Sequence, residues 1–182
     1  MVSDECPVLG GKGYNMSNYS HFDDSGRPMM VDVGSKERTS RKAVAECFVE
    51  LPEVVYKALL DGDVAKGDPV RVAELGGIMG AKKTPDLIPL CHPINLESVR
   101  VRCELTEKRL LRIECEASAR DATGVEMEAL AGATVAALVF YDMCKALDKG
   151  MVIKEARLVE KSGGRSGNWK SESVKIKSME NE

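Results

Sequence analysis

The chain has 182 residues, 43% of them hydrophobic, which suits a single domain around one core. Twenty-six Lys and Arg against 29 Asp and Glu leave a net charge of −3, which argues against an extended nucleic-acid footprint but not against a local basic pocket for a small anion. No apolar stretch approaches the ~20 residues that cross a bilayer, and residues 1–11, with two early acids and no long apolar core, make a poor signal peptide.

Six cysteines (Cys6, Cys47, Cys91, Cys103, Cys115 and Cys144) form no CxxC pair. Cys103 and Cys115 fall on segments read as paired strands, which leaves a disulfide open. Buried free thiols in a reducing cytoplasm are the favoured expectation.

Residues 1–28, rich in Gly, Ser and Asp, read as a mobile tail, and residues 170–182 as a second tail whose VKIK has the alternation of a short strand. The single domain is expected over 29–169. From Thr39 to Leu51 small and apolar side chains alternate, which predicts a strand. Pro52 fits the first turn of a helix that stops near Gly62. Asp68-Pro69 predicts an N-cap and first turn for a second helix running to about Lys83, in which Gly76-Gly77 lets a neighbouring backbone come close. Three prolines between Thr84 and Pro93 exclude a regular helix there and predict an apolar loop pressed onto the body. Leu96–Leu105 and Arg109–Ala119 read as a hairpin. A long helix follows from Thr123, with Thr123 and Glu126 at capping-box spacing. Val125, Ala129, Ala133, Ala136, Ala137, Phe140 and Cys144 share one broad apolar side, as in a central or interface helix. A last strand covers Val152–Val159 and runs into the basic, glycine-rich KSGGRSG. This order predicts an α+β, ferredoxin-like fold: an antiparallel sheet with helices on one face and one extra helix.

Four segments carry chemistry: AKGDP around Lys66, LIPLCHP around His92, GVEMEA with YDMCK in the long helix, and KSGGRSG near the end. His92, held between Pro89 and Pro93, suits acid/base or hydrogen-bonding work, or simply fills a loop. Asp142 and Lys145 lie on one helical face, where they either pass protons in a closed pocket or form an ordinary surface ion pair. Glu126 and Glu128 sit at the start of the long helix. There they either answer its dipole or accept hydrogen bonds from the amine edge of a guanine-like ring. KSGGRSG offers cations and backbone N–H groups to phosphate, although Gly/Ser turns are common and no Walker A pattern is present.

Taken together, KGDP (66–69), GAKKTPDLIPLCHP (80–93), TGVEMEAL (123–130), VAALVFYDMCKA (135–146) and KSGGRSG (161–167) closely resemble the MoaC-type cyclic pyranopterin monophosphate synthases. The resemblance runs from about Met30 to Trp169. It implies a lyase of molybdenum-cofactor biosynthesis that acts on 3′,8-cyclo-7,8-dihydro-GTP, a product of a separate radical enzyme, and releases pyrophosphate. It further implies a cytoplasmic homohexamer built from dimers, with its active site at a subunit interface. The catalytic positions fall on Asp142, Lys66 and Lys145, with His92 able to share proton transfers. The substrate contacts fall on Leu90, Cys91, His92, Met127 and Glu128, with Glu126 close by, and the phosphate-binding positions on Arg41, Lys161 and Arg165. Arg165 stands where lysine is common, and Pro85 at a variable position. No resident cofactor or metal is expected, beyond a magnesium ion that the triphosphate can carry. Two other readings compete. A nucleotide-binding accessory protein would share the pocket without turnover, and a structural ferredoxin-like module would need neither the stiff LIPLCHP loop nor charges on an apolar helix.

Overall fold

The alternation that begins at Thr39 becomes the central strand of the sheet. The computed structural model describes residues 20–23 and 25–172. In it β1 (Thr39–Glu50) is buried from Ala43 to Val49. Ala43, Ala45, Cys47 and Val49 enter the hydrophobic core, together with Leu111, Ile113, Cys115, Ala117 and Ala119 of β3 (Leu110–Asp121). The five strands run in the order β2-β3-β1-β4-β5, with β2 at Leu96–Leu105, β4 at Val152–Ser162 and β5 at Trp169–Lys170. Every pairing is antiparallel.

Between β1 and β2 come α1 (Glu53–Asp61), α2 (Pro69–Lys82) and the single turn α3 (Thr84–Leu87). Between β3 and β4 comes α4 (Glu126–Cys144), and α2 and α4 pack on each other and on the sheet. The α+β architecture expected from the element order is therefore present.

On the other side of β1, Glu46 is buried and bridged by Arg157 at 2.6 Å and Arg112 at 3.0 Å. A carboxylate taken out of water in this way needs such partners.

The helix ends follow local chemistry. The carboxylate of Asp68 accepts from the N–H of Val70 and Arg71, and Pro69 opens α2, as expected. Gly62 closes α1 at φ 69°. Three details differ. Pro52 stands at the N-cap of α1 rather than inside its first turn. The proline-rich stretch contains a short helical turn, because Pro85 falls in its first positions, where a missing N–H does no harm. The Thr123–Glu126 capping box is not formed: α4 starts at Glu126 with Val125 as its cap, and the Glu126 carboxylate instead folds back over Gly124.

The expectation that no segment is long and apolar enough to cross a bilayer is also corrected. By length and composition α4 qualifies. Its buried face, from Ala129 to Cys144, lies in the core shared with the sheet, which accounts for its apolarity. Cys47, Cys91, Cys103, Cys115 and Cys144 are free thiols. In the register Cys103 faces Ile113 and Cys115 faces Val101, so the two thiols are not opposite each other.

Within the stretch read as an N-terminal tail, the segment from Phe22 to Pro28 holds a turn of its own. Asp23 accepts from the Ser25 hydroxyl and from the N–H groups of Ser25 and Arg27, and Phe22 bridges Pro28. Cys6, the VKIK segment and the outer parts of both tails lie outside the described residues.

The expected close approach at Gly76-Gly77 is present. A Cβ on Gly77 would stand 2.8 Å from the Gly132 carbonyl oxygen of α4, and one on Gly76 would stand 2.6 Å from Val139. Gly→Ala in a helix normally stabilises by ~1 kcal/mol. Here the sign should invert: Gly77→Ala is expected to destabilise by about 1–3 kcal/mol through overpacking, measured as a shift in the urea midpoint.

Candidate active site

The candidate residues gather at the two ends of the sheet. Thr39 at the start of β1 pairs with Asp121 at the end of β3, and Lys42 pairs with Ser162 at the end of β4. Leu96 at the start of β2 pairs with Ala119. Antiparallel pairing therefore collects at one edge Arg41, Lys161 and Arg165, the Leu90–His92 loop that leads into β2, and the first turn of α4. At the other edge Glu50 pairs with Val152, and there α4 ends near Lys66.

At this second edge Lys66, Asp142 and Lys145 form one cluster. The Lys66 ammonium donates to the backbone carbonyl of Asp142 at 3.1 Å and lies 3.9 Å from its carboxylate. Lys145 lies 2.6 Å from the same carboxylate. Its hydrogen bond, aided by its charge and that of Lys66, holds the Asp142 carboxyl below the usual range, while Asp142 raises the Lys145 ammonium. All three side chains are about half exposed, at 45%, 61% and 50%. The carboxylate is thus ionised and flanked by two cations at a surface that a substrate can reach. Lys66 rides on a loop between two glycines with positive φ, Gly62 and Gly67, which lets a short connection turn its lysine toward α4.

The first edge has different electrostatics. Glu128 is 2% exposed, its Oε2 is buried, and that oxygen has no hydrogen-bond partner among the described residues. Burial pushes its carboxyl up to about 7; the neighbouring Glu126 adds to the rise and its own backbone N–H opposes it. Such a group exchanges its proton near neutral pH, and its free oxygen invites a donor or acceptor from a ligand. Its charge also reaches the Cys91 thiol, already pushed up by burial, so the LCH loop and the helix start lie close together. Met127, between the two acids, is exposed. Leu90, Cys91 and His92 are half-buried.

The basic part of this edge is built on glycine. Arg41 donates from Nε to the Asp121 carbonyl at 3.1 Å and from its second terminal nitrogen to the Ala122 carbonyl at 3.4 Å. Its remaining nitrogen lies over Gly164, where a side chain would collide with it. Lys161 bonds to the Ser166 hydroxyl, and Arg165 is exposed. Pocket-lining residues Lys36 and Thr39 stand beside Arg41 and Arg165. The motifs marked neither of them; the only sequence signal was their place in the charged, hydroxyl-bearing run KERTSR before β1.

Residues 30–164 match the MoaC family. This chain belongs to the MoaC family. It is 50% identical over 157 residues to a cyclic pyranopterin monophosphate synthase of Lysinibacillus sphaericus, covering 85% of this chain and 98% of that protein. A protein of the same name from Peptoclostridium acidaminophilum is 46% identical, over 86% of this chain and 99% of its own length. One from Bacillus subtilis is 45% identical, over 86% and 94%. All of α4 lies inside the matched region, and so does every residue named at the two edges except Arg165 and Ser166.

The raised carboxyl of Glu128 has a measurable consequence. Because its folded-state value lies above the ordinary 4.5, protonated Glu128 favours the fold. That contribution is fully present below about pH 4.5 and is lost as pH rises through about 7. Stability measured by urea unfolding should fall by on the order of 2–3 kcal/mol between pH 5 and pH 8. Glu128→Gln should flatten that slope, and an unchanged slope would show that Glu128 titrates normally.

Proposed function

We propose that this MoaC-family chain is a cyclic pyranopterin monophosphate synthase of molybdenum-cofactor biosynthesis. It converts 3′,8-cyclo-7,8-dihydro-GTP to cyclic pyranopterin monophosphate with release of pyrophosphate, as a lyase. The observation that carries this reading is the Lys66–Asp142–Lys145 cluster, set in a chain about half identical to synthases over nearly their whole length. Pure binding of a nucleotide does not require a carboxylate between two ammonium groups.

The chemistry suits these groups. Opening the five-membered ring of the purine and recapturing its nitrogen need several proton transfers between substrate atoms. Lys66 and Lys145 can each donate a proton, and Asp142 keeps both cations placed and can receive one. His92 joins them from the other edge. Attack by a substrate hydroxyl on the α-phosphorus forms a new P–O bond and breaks the bond to the β-phosphate bridge oxygen. The electron pair leaves with pyrophosphate, and nearby cations stabilise the negative charge that builds there. Glu126, Met127 and Glu128 are suited to the guanine-derived ring, and Arg41, Lys161 and Arg165 to the phosphates. The only metal this reading invokes is magnesium arriving with the triphosphate.

On one chain these groups do not meet. Glu128 and Asp142 are fourteen residues apart on α4, which at ~1.5 Å per residue is about 21 Å. We therefore read the working site as shared, with the Lys66–Asp142–Lys145 cluster of one protomer facing the Glu128 edge of another. This supports the expected homohexamer of dimers on a ferredoxin-like fold, for which the sheet order is suited. The protein would work in the cytoplasm, downstream of a radical enzyme that supplies the cyclised nucleotide.

A turnover assay with freshly made 3′,8-cyclo-7,8-dihydro-GTP tests the activity. Pyrophosphate and the pterin should appear in equal amounts, whereas binding without either product would mark a nucleotide-binding accessory protein. Lys66→Ala and Asp142→Asn should each lower kcat at least about 100-fold while leaving the oligomer intact. Mixing subunits tests the shared site. Lys66→Ala and His92→Ala, each inactive alone, should regain about a quarter of native activity after co-refolding, since half of the pairs are mixed and each mixed pair holds one intact site. No recovery would place both groups in a site built by one chain.

A further inference from the structure

Lys66 belongs to no helix or strand, yet its ammonium stands over the end of α4. The loop between α1 and α2 is pinned at three points. At its entry Gly62 closes α1, and the Asp63 N–H bonds back to the Ala58 carbonyl at 2.9 Å. In its middle Gly67, at φ 92°, donates to the Val64 carbonyl at 3.0 Å and closes a turn that contains Lys66. At its exit the Asp68 carboxylate accepts from the N–H groups of Val70 at 3.0 Å and Arg71 at 3.1 Å, which fixes the first turn of α2 directly after the lysine's turn. Helix α2 is in turn fixed to its surroundings. Gly77 meets Gly132 of α4 backbone to backbone, and the Glu74 carboxylate accepts from the Cys103 N–H of β2 at 3.1 Å. Behind the loop lies a cavity of about 540 Å³, walled in part by Leu59, Val64, Val70 and Leu105. Close packing does not support the loop from that side, so its position is set by the points that pin it.

We propose that Asp68 is a positioning residue for the reaction: as the cap of α2 it sets where Lys66 stands relative to Asp142. The proposal deepens the synthase reading and rests on it for the part that Lys66 plays in turnover. Asp68 acts through other groups. It holds the first turn of α2, the α2–α4 crossing relates that turn to Asp142, and the 3.1 Å bond from the Lys66 ammonium to the Asp142 carbonyl closes the circuit. Without the cap the Val70 and Arg71 N–H groups lose their acceptor, the turn frays, and the short link to Lys66 slackens over the cavity. A charge is not needed for this. The side-chain oxygen of asparagine caps a helix about as well as that of aspartate, so the role belongs to an acceptor atom. A reacting group misplaced by about 1 Å can cost on the order of 100-fold in rate, even when the change that moves it lies away from the chemistry.

The test combines kinetics with lysine labelling on the full chain. Asp68→Ala should lower kcat at least about tenfold while KM stays within about twofold of wild type. Its Lys66 amine should be acetylated by acetic anhydride several-fold faster than in wild type, read by mass spectrometry of the peptides, because it has lost a fixed acceptor. Lys145, held by Asp142 on its own helix, should be labelled at the wild-type rate. Asp68→Asn should match wild type in kcat and in the labelling of both lysines. Faster labelling of Lys66 and Lys145 alike would mark a general loss of folding and overturn the proposal. So would a lower kcat with Lys66 labelled as in wild type, or Asp68→Asn as impaired as Asp68→Ala. Faster labelling confined to Lys66, in a protein that does not turn over the cyclised nucleotide, would support the positioning role and refute the synthase reading. Turnover that Asp68→Ala leaves unchanged, with Lys66 labelling unchanged, would do the reverse.

Discussion

Helix α4 reaches both sheet edges, and it can do so because it crosses α2 almost backbone to backbone. A Cβ on Gly132 would stand 2.5 Å from the Cys115 sulfur and 3.2 Å from the Gly77 carbonyl oxygen, while one on Gly80 would stand 2.6 Å from Val135. Glycines on α2 and one on α4 therefore set how deeply both helices sink onto the sheet. Close-packed interiors transmit small displacements instead of absorbing them. A shift at this crossing would move the Glu128 end and the Asp142 end of α4 together.

The two ends of that helix carry opposite electrostatic arrangements. At its start an acid is buried beside another acid, with no cation in the set of groups that shift it, so its proton is held to near neutral pH. At its end an exposed acid is flanked by two lysines and stays ionised. An exposed ion pair contributes little to stability, because water screens it. The Lys66–Asp142–Lys145 cluster therefore adds little to the stability of the fold. The opposite holds for Glu46 on the far side of the sheet. It is buried with Arg112 and Arg157, and removing one partner would strand a charge away from water.

Much of this was legible in the sequence. Alternation predicted β1 and the β2–β3 hairpin, Asp68-Pro69 predicted the start of α2, and an all-round apolar run predicted α4. These are local signals, set by side-chain period and by the chemistry of helix ends. The motifs also marked Lys66, Asp142 and Lys145, and the structure brings these three together. The capping box at Thr123 misled, because Ser/Thr-x-x-Glu spacing records only that a reciprocal bond is reachable. Here the Glu126 side chain folds over Gly124 instead, where the absence of a Cβ leaves room for it.

By itself the sequence determined the class of fold, the family and the set of chemically capable residues, since each depends on residue type and short-range spacing. Only the tertiary structure decided how that set divides. Antiparallel pairing gathers distant segments at two opposite edges of one sheet, and the length of α4 keeps those edges about 21 Å apart. It was also packing, and not residue type, that made two similar glutamates on one turn differ. Glu128 faces the interior and keeps its proton to near neutral pH, while Glu126 turns back over Gly124. Burial is a property of the assembled fold, and no spacing along the chain records it.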